Sequence, residues 1–195
     1  MKIEEAETIC HELLKTVRPR AEKLKKLNPK REFTAWTSAV KAVLEAIGMK
    51  RNKHYESLYS SKENDLHEFL VDFTWWDKKN KVTVLACECE FGNTRDEAGN
   101  PGRVGEDFDK LLSVKASVKL MIFDSYESKK NAGQTQKILR NLSSRFREFG
   151  QHIAGEIYIL LDTRDLDCER QRLWQCVIKK DGRDRSLAFS EFSVR

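Results

Sequence analysis

The chain has 195 residues, of which 39% are hydrophobic and 34% charged, with only 9 Gly and 3 Pro. This composition is typical of one domain with a real core and excludes collagen-like or low-complexity chains. No apolar run approaches the roughly 20 residues that span a bilayer, and the acidic start, residues 1–7, lacks the layout of a signal peptide. We therefore expect a soluble, cytoplasmic protein with no membrane partner.

The net charge and the cysteine content say little more about which kind of protein this is. The net charge of +5 is compatible with a polyanionic partner, although a solvated surface rich in both signs explains it more simply. The 5 cysteines are an odd number without framework spacing. A disulfide-stapled fold is therefore not expected.

The N-terminal quarter has helical periodicity. Apolar residues recur at helical spacing through the first 27 residues, where Pro19 should end or kink the run before it resumes. A second helix should follow Thr34 as its N-cap and stop at Gly48. We interpret residues 1–31 as a helical arm.

After the second predicted helix, the pattern of apolar residues changes from that of a helix to that of β-strands. Residues 68–76 and 82–91 are rich in β-branched and aromatic side chains, and the polar segment 77–81 between them is typical of a hairpin turn. Trp75 and Trp76 are interpreted as core residues rather than as a base-stacking platform. Residues 92–105 contain four glycines and a proline, which predicts a surface loop.

The rest of the chain predicts alternating helices and strands. A helix is expected over residues 106–117 and another over 134–149, each next to a nearly continuous apolar run. Strand, helix and strand in succession predict parallel pairing. A closing hairpin should join its strands through Asp181 and Gly182. The predicted fold is α/β, a mixed sheet with helices on both faces in a single domain, residues 1–195, with a core at 34–161 and a terminal hairpin at 173–192.

Three carboxylates converge on the first hairpin. Glu88 and Glu90 lie two residues apart and so point to one face of their strand. A turn centred near residue 79 places Asp72 opposite residues 86–88. Like charges that are half buried repel one another unless they share a proton, a cation or a metal, and carboxylate oxygens suit Mg²⁺ or Mn²⁺. An isolated strand aspartate is more often structural, but three converging acids favour a metal site.

These residues carry a family resemblance. Asp72, then Glu88-Cys89-Glu90 on the next strand, then a helix and an apolar strand resembles the PD-(D/E)XK nuclease superfamily, the restriction-endonuclease-like fold. The resemblance covers about Thr34 to Leu161. It implies a core of a helix, three antiparallel strands, a helix and a further parallel strand. It also implies a metal-dependent endonuclease, a hydrolase of phosphodiester bonds.

The resemblance also implies roles for individual residues. Asp72 and Glu88 would be metal ligands, with the backbone carbonyl of Cys89 as a third. Glu90 occupies the place usually held by a catalytic lysine, which is a departure from the pattern. In some members the lysine function moves to another element, and Lys110 is the candidate here. The structural alternative for Lys110 is a surface ion pair with Glu106, four residues earlier.

Other charged and polar residues have simpler interpretations. Glu106, Asp107 and Asp109 fit the first turn of a helix, where the helix dipole stabilises acids. Glu32 or Glu45 could supply a further acid, but a solvated helix face is the simpler reading. Cys87 and Cys89 are interpreted as small core residues on the other face of their strand, because no second spaced pair completes a zinc site.

The expected partner is nucleic acid, with DNA favoured, and a homodimer stays open because cutting both strands usually needs two sites. The basic cluster at residues 23–31 could also meet phosphates. The competing interpretations are a nuclease-like module that binds nucleic acid or protein without catalysis and, with less support, a zinc or redox protein. The candidate nucleic-acid contacts are Arg95, Arg103, Lys115 and Lys119.

Overall fold

The computed structural model describes residues 2–27, 32–59, 70–91, 102–125, 132–149, 155–162, 172–177 and 190–192. Within these ranges, two helices are followed by three strands, then by a helix, a strand, a helix and a strand in alternation, and finally by two more strands. The elements are α1 (Ile3–Leu27), α2 (Glu32–Arg51), β1 (Tyr55–Tyr59), β2 (Phe73–Asp77), β3 (Val82–Glu90), α3 (Gly102–Ser113), β4 (Val118–Phe123), α4 (Gln134–Glu148), β5 (Ile157–Asp162), β6 (Arg172–Val177) and β7 (Ser190–Phe192).

All the described strands join one mixed sheet in the order β1-β2-β3-β4-β5-β6-β7. The first three strands form an antiparallel meander, β3, β4 and β5 are parallel, and β6 and β7 return antiparallel. Each parallel connection carries one helix, α3 or α4, as parallel pairing requires. The predicted α/β class with a mixed sheet is confirmed, as are the β2–β3 hairpin, the parallel β4–β5 pair and the closing hairpin.

Helices cover both faces of the sheet and divide the core into two layers. Along β3, Leu85, Cys87 and Cys89 pack with the apolar faces of α1 and α2. Ala86 lies on the opposite face and packs with α3 and α4. Successive strand residues point to opposite faces, so a central strand with both faces covered is almost continuously apolar. This burial makes a polar residue within β3 conspicuous.

Two glycines predicted to break structure lie inside helices, where they allow close packing. Gly48 is within α2, and a Cβ there would lie 2.6 Å from Nε1 of Trp75, which donates a hydrogen bond to the backbone oxygen of Leu44 at 3.0 Å. Gly105 is within α3, and a Cβ there would lie 2.6 Å from Nε of Arg145 on α4. The predictions of a helix end at Gly48 and of a loop at Gly105 are therefore wrong.

Other element boundaries also differ from the prediction. α1 continues through Pro19, because its buried face packs against α2 and this packing offsets the lost backbone hydrogen bond. α2 begins at Glu32, before the expected cap at Thr34. β1 was not predicted from the residues, since all five of its residues are half buried and give no alternating pattern.

Several predicted segments lie outside the described residues, including the loop at 92–101 and the turn at Asp181 and Gly182. No helix in the described part of the chain is long and apolar enough to cross a membrane.

Candidate functional site

The β2–β3 register places Asp72 beside Glu88. Phe73 pairs with Cys87, so Asp72, one residue earlier, stands level with Glu88. The backbone N–H of Cys89 donates to Oδ2 of Asp72 at 3.1 Å and fixes that carboxylate against the neighbouring strand. The predicted juxtaposition of these acids is confirmed.

Glu88 is a buried acid with an unsatisfied oxygen. It is 3% exposed, and among the described residues its Oε1 is buried without a hydrogen-bond partner. The nearest cation is the ammonium of Lys110, 3.7 Å from Oε1. Burial, followed by the charges of Asp72 and Asp107, raises the pKa of Glu88 to about 9, even though the charge of Lys110 lowers it. The metal-free protein therefore holds this carboxyl protonated at neutral pH.

α3 brings two charged side chains to the same place. Nζ of Lys110 donates to Oδ1 of Asp107 at 2.7 Å while it also faces Glu88. Burial lowers the pKa of Lys110, but the bond to Asp107 and the charge of Glu88 outweigh it and raise that pKa overall. Burial likewise raises the pKa of Asp107, which Lys110 opposes. Lys110 is thus at the site, and its hydrogen bond goes to Asp107 rather than to the expected Glu106.

The helix-dipole interpretation of the acids on α3 is wrong. Because α3 begins at Gly102, Glu106, Asp107 and Asp109 lie beyond its first turn. Asp107 points to the site, whereas Asp109 forms an ion pair with Arg145 on α4. Asp107 is therefore a site residue that sequence reasoning missed, and the signal that could have revealed it is its three-residue spacing from Lys110.

α2 supplies a second cation that the sequence analysis did not identify. Nζ of Lys41 lies 3.0 Å from Oδ1 of Asp72. This lysine reaches the site from the sheet face opposite to that of Lys110. Glu45, one turn further along α2, accepts a hydrogen bond from the hydroxyl of Tyr59 on β1, and burial followed by this hydrogen bond raises the pKa of that tyrosine.

Glu90 ends β3 on the same face as Glu88. Its backbone oxygen accepts a hydrogen bond from the N–H of Asp124 at 3.3 Å, and its charge helps to raise the pKa of Asp107. The third acid therefore lies near the other carboxylates. A role for the backbone carbonyl of Cys89 as a ligand stays a prediction.

The donor set fits a hard divalent cation. Among the described residues, no group of three or more His, Cys, Asp or Glu side chains has a ready-made metal-binding arrangement, and lysine ammonium groups face the carboxylates instead. However, a buried carboxyl oxygen that makes no hydrogen bond is costly. Oε1 of Glu88 is such an atom, and Asp72 stands beside it, so these two oxygen donors suit Mg²⁺ or Mn²⁺.

Only part of the predicted nucleic-acid surface is accessible near this site. Arg103 is exposed on α3, while Arg95 lies outside the described residues. Lys115 is exposed but shares a hollow with Val82 at the far end of β3. The six residue steps from Val82 to Glu88 separate that hollow from the carboxylates by roughly 20 Å.

Lys119 is not a surface residue, and its assignment to nucleic-acid binding is wrong. It is 2% exposed, and its Nζ donates to Oε2 of Glu156 and to the hydroxyl of Tyr158, each at 2.9 Å. Burial lowers its pKa and Glu156 opposes that effect. Every residue of β4 is buried, so a lysine in this apolar run has to find an internal partner.

The structural interpretation of the paired cysteines is confirmed. Cys87 and Cys89 are buried in the core layer formed with α1 and α2, with their Sγ atoms 3.9 Å apart. They face away from the carboxylates. Cys168 lies outside the described residues.

No model of a known protein family matches this chain. A search of curated proteins likewise finds no match. The functional argument therefore depends on the site itself.

Proposed function

We propose that this chain is a metal-dependent nuclease that hydrolyses phosphodiester bonds, with DNA as the favoured substrate. The observation that carries the proposal is the buried Oε1 of Glu88, which has no hydrogen-bond partner in the described structure and stands beside Asp72. Lys110 lies 3.7 Å from this oxygen without hydrogen-bonding it, and a divalent cation would provide the partner that the oxygen lacks.

Asp72 and Glu88 would hold Mg²⁺ or Mn²⁺. Such an ion, when bound, lowers the pKa of a coordinated water and neutralises charge on phosphate oxygens. The backbone N–H of Cys89 fixes the orientation of Asp72 by donating to its Oδ2. This leaves Oδ1, which faces Lys41 in the metal-free protein, as the oxygen that would bind the metal. Burial excludes competing water from Glu88.

Lys110 supplies the positive charge that the usual lysine would provide. Its ammonium is fixed by Asp107 and lies beside Glu88, where it can stabilise negative charge developing on a phosphate. The pKa of Lys110 is raised, so it acts as a cation and not as a general base. Glu90 lies near Asp107 and can orient a water molecule by accepting its hydrogen bond.

The competing function is a nuclease-like module that binds nucleic acid without cutting it. The feature that favours it is Glu90, which replaces the usual lysine. The position of Lys110 beside Glu88 weighs against it, because a cation is available from another element.

The test is cleavage of supercoiled plasmid, linear duplex, single-stranded DNA and RNA in Mg²⁺, in Mn²⁺ and in EDTA. Glu88→Gln should abolish metal-dependent cutting, because it removes a ligand charge while preserving shape. Glu106→Gln is the matched control, since Glu106 is an exposed acid on α3, and it should cut like the wild type. Binding without cutting in every metal, unchanged in Glu88→Gln, would instead support the non-catalytic module.

A further inference from the structure

Asp72 has both carboxylate oxygens engaged, but by partners of different kinds. Oδ2 accepts from the backbone N–H of Cys89 at 3.1 Å, a contact fixed by strand pairing. Oδ1 faces the ammonium of Lys41 at 3.0 Å. Only the second partner can leave without disturbing the sheet, because it is the end of a flexible side chain.

The ammonium group of Lys41 lies where it can leave Asp72 and move into the solvent. Its side chain is 19% exposed and that of Asp72 is 22% exposed, so their ion pair is partly exposed and lies outside the fully buried core. A lysine stem can keep its apolar part packed while the ammonium swings toward water. Lys110 differs, because Asp107 fixes it by a second, shorter contact at 2.7 Å.

The two lysines reach the carboxylates from opposite faces of the sheet. α2 packs on the face that holds Cys87 and Cys89, and α3 packs on the other. Of the two proposed metal ligands, Lys41 therefore faces Asp72, and Lys110 faces Glu88. This arrangement surrounds the open end of the site with positive charge that does not depend on a metal.

We propose that Lys41 is a further substrate-binding residue of this site. In the metal-free protein it is the counter-ion of Oδ1 of Asp72. When a divalent cation takes that oxygen, the ammonium of Lys41 is released and contacts a phosphate of the substrate backbone. The proposal rests on the proposed function, since it assigns a residue to the same site.

This exchange has two measurable consequences. Because Lys41 competes with the metal for Oδ1 of Asp72, it weakens metal binding. Without nucleic acid, Lys41→Met should therefore bind Mn²⁺ about fivefold more tightly than the wild type, which corresponds to the free energy that a partly exposed ion pair can contribute. The same variant loses a charged hydrogen bond to phosphate, so its KM for cleavage should rise about tenfold. Lys41→Arg keeps the positive charge, so its KM should be close to that of the wild type.

The experiment is calorimetric titration of Mn²⁺ into wild type, Lys41→Met and Lys41→Arg, followed by cleavage kinetics on linear duplex. The control is Lys50→Met, which removes an exposed lysine of the same helix that pairs with Glu12 at 3.4 Å and should change neither quantity. A purely structural role would lower the melting temperature of Lys41→Met without tightening Mn²⁺ binding.

Mn²⁺ binding by Lys41→Met that is unchanged or weaker would overturn the proposal, as would a KM equal to that of the wild type. The metal titration is made without nucleic acid, so it remains informative if the wild type proves unable to cut. Tighter Mn²⁺ binding in a protein that cuts nothing would support the exchange at Asp72 and refute the nuclease.

Discussion

Replacing Glu88 by Gln should stabilise the metal-free protein, by an amount that grows with pH. The Glu88 carboxyl is 3% exposed, and burial, followed by the charges of Asp72 and Asp107, raises its pKa from 4.5 to about 9. In the unfolded chain the same group ionises near its ordinary value. Between these two pKa values the folded state holds a proton that the unfolded state has lost, so stability falls as the pH rises.

The size of the effect follows from the pH interval. Each pH unit between the two pKa values costs about 1.4 kcal/mol, so going from pH 5.5 to 8.5 changes the free energy of unfolding by at most about 4 kcal/mol. Relaxation around the buried charge reduces this ceiling. We expect Glu88→Gln, which cannot ionise, to gain about 2–4 kcal/mol over the wild type across that interval.

Urea unfolding of both proteins in EDTA at several pH values measures this gain. Glu106→Gln is the control, because that side chain is exposed and should show a stability difference from the wild type that does not vary with pH. Added Mg²⁺ should stabilise the wild type at pH 8.5 and leave Glu88→Gln unchanged. A difference between wild type and Glu88→Gln that is constant with pH would refute the reasoning that Glu88 is a buried, protonated acid.

Three further predictions test the packing of the core. Gly48→Ala should cost about 1–3 kcal/mol in urea unfolding, because the new Cβ would lie 2.6 Å from Nε1 of Trp75; an unchanged midpoint would contradict this close approach. Lys119→Met should cost about 3–5 kcal/mol by leaving the Glu156 carboxylate buried without its cation. The double variant Lys119→Met with Glu156→Gln should recover most of that loss, and its failure to do so would show that the pair is not the cause. Burial raises the pKa of Cys10 to about 12, so mass spectrometry after iodoacetamide at pH 8 should find it alkylated only in urea, and labelling in the native state would contradict its burial.

The part of the site that lies on the hairpin could be predicted from the sequence. Strand alternation and a short turn fix which residues stand opposite one another, so Asp72 and Glu88 could be paired without a structure. The chemistry of oxygen ligands then pointed to a hard cation.

The residues contributed by helices were harder to predict. Lys41 reaches Asp72 only because α2 packs across the sheet at one particular rotation, which periodicity does not determine. Asp107 was attributed to a helix start because the glycines before it suggested a loop. Instead, α3 begins at Gly102, and Gly105 lies within it, packed against Arg145.

The burial of Lys119 rules out the nucleic-acid contact predicted for it. A basic residue after a loop resembles a phosphate contact, but Lys119 lies in a strand covered on both faces. The apolar residues before and after Lys119 in the sequence could have indicated its burial, because a strand that is apolar throughout has no side facing solvent.

The most direct test of the nuclease assignment is cleavage of supercoiled plasmid in Mg²⁺ by the wild type, Asp72→Ala and Glu106→Gln measured side by side. The account predicts nicked or linear product from the wild type and from Glu106→Gln, none in EDTA, and none from Asp72→Ala. Cleavage by Asp72→Ala at the wild-type rate, or no cleavage by the wild type in either Mg²⁺ or Mn²⁺, would contradict it.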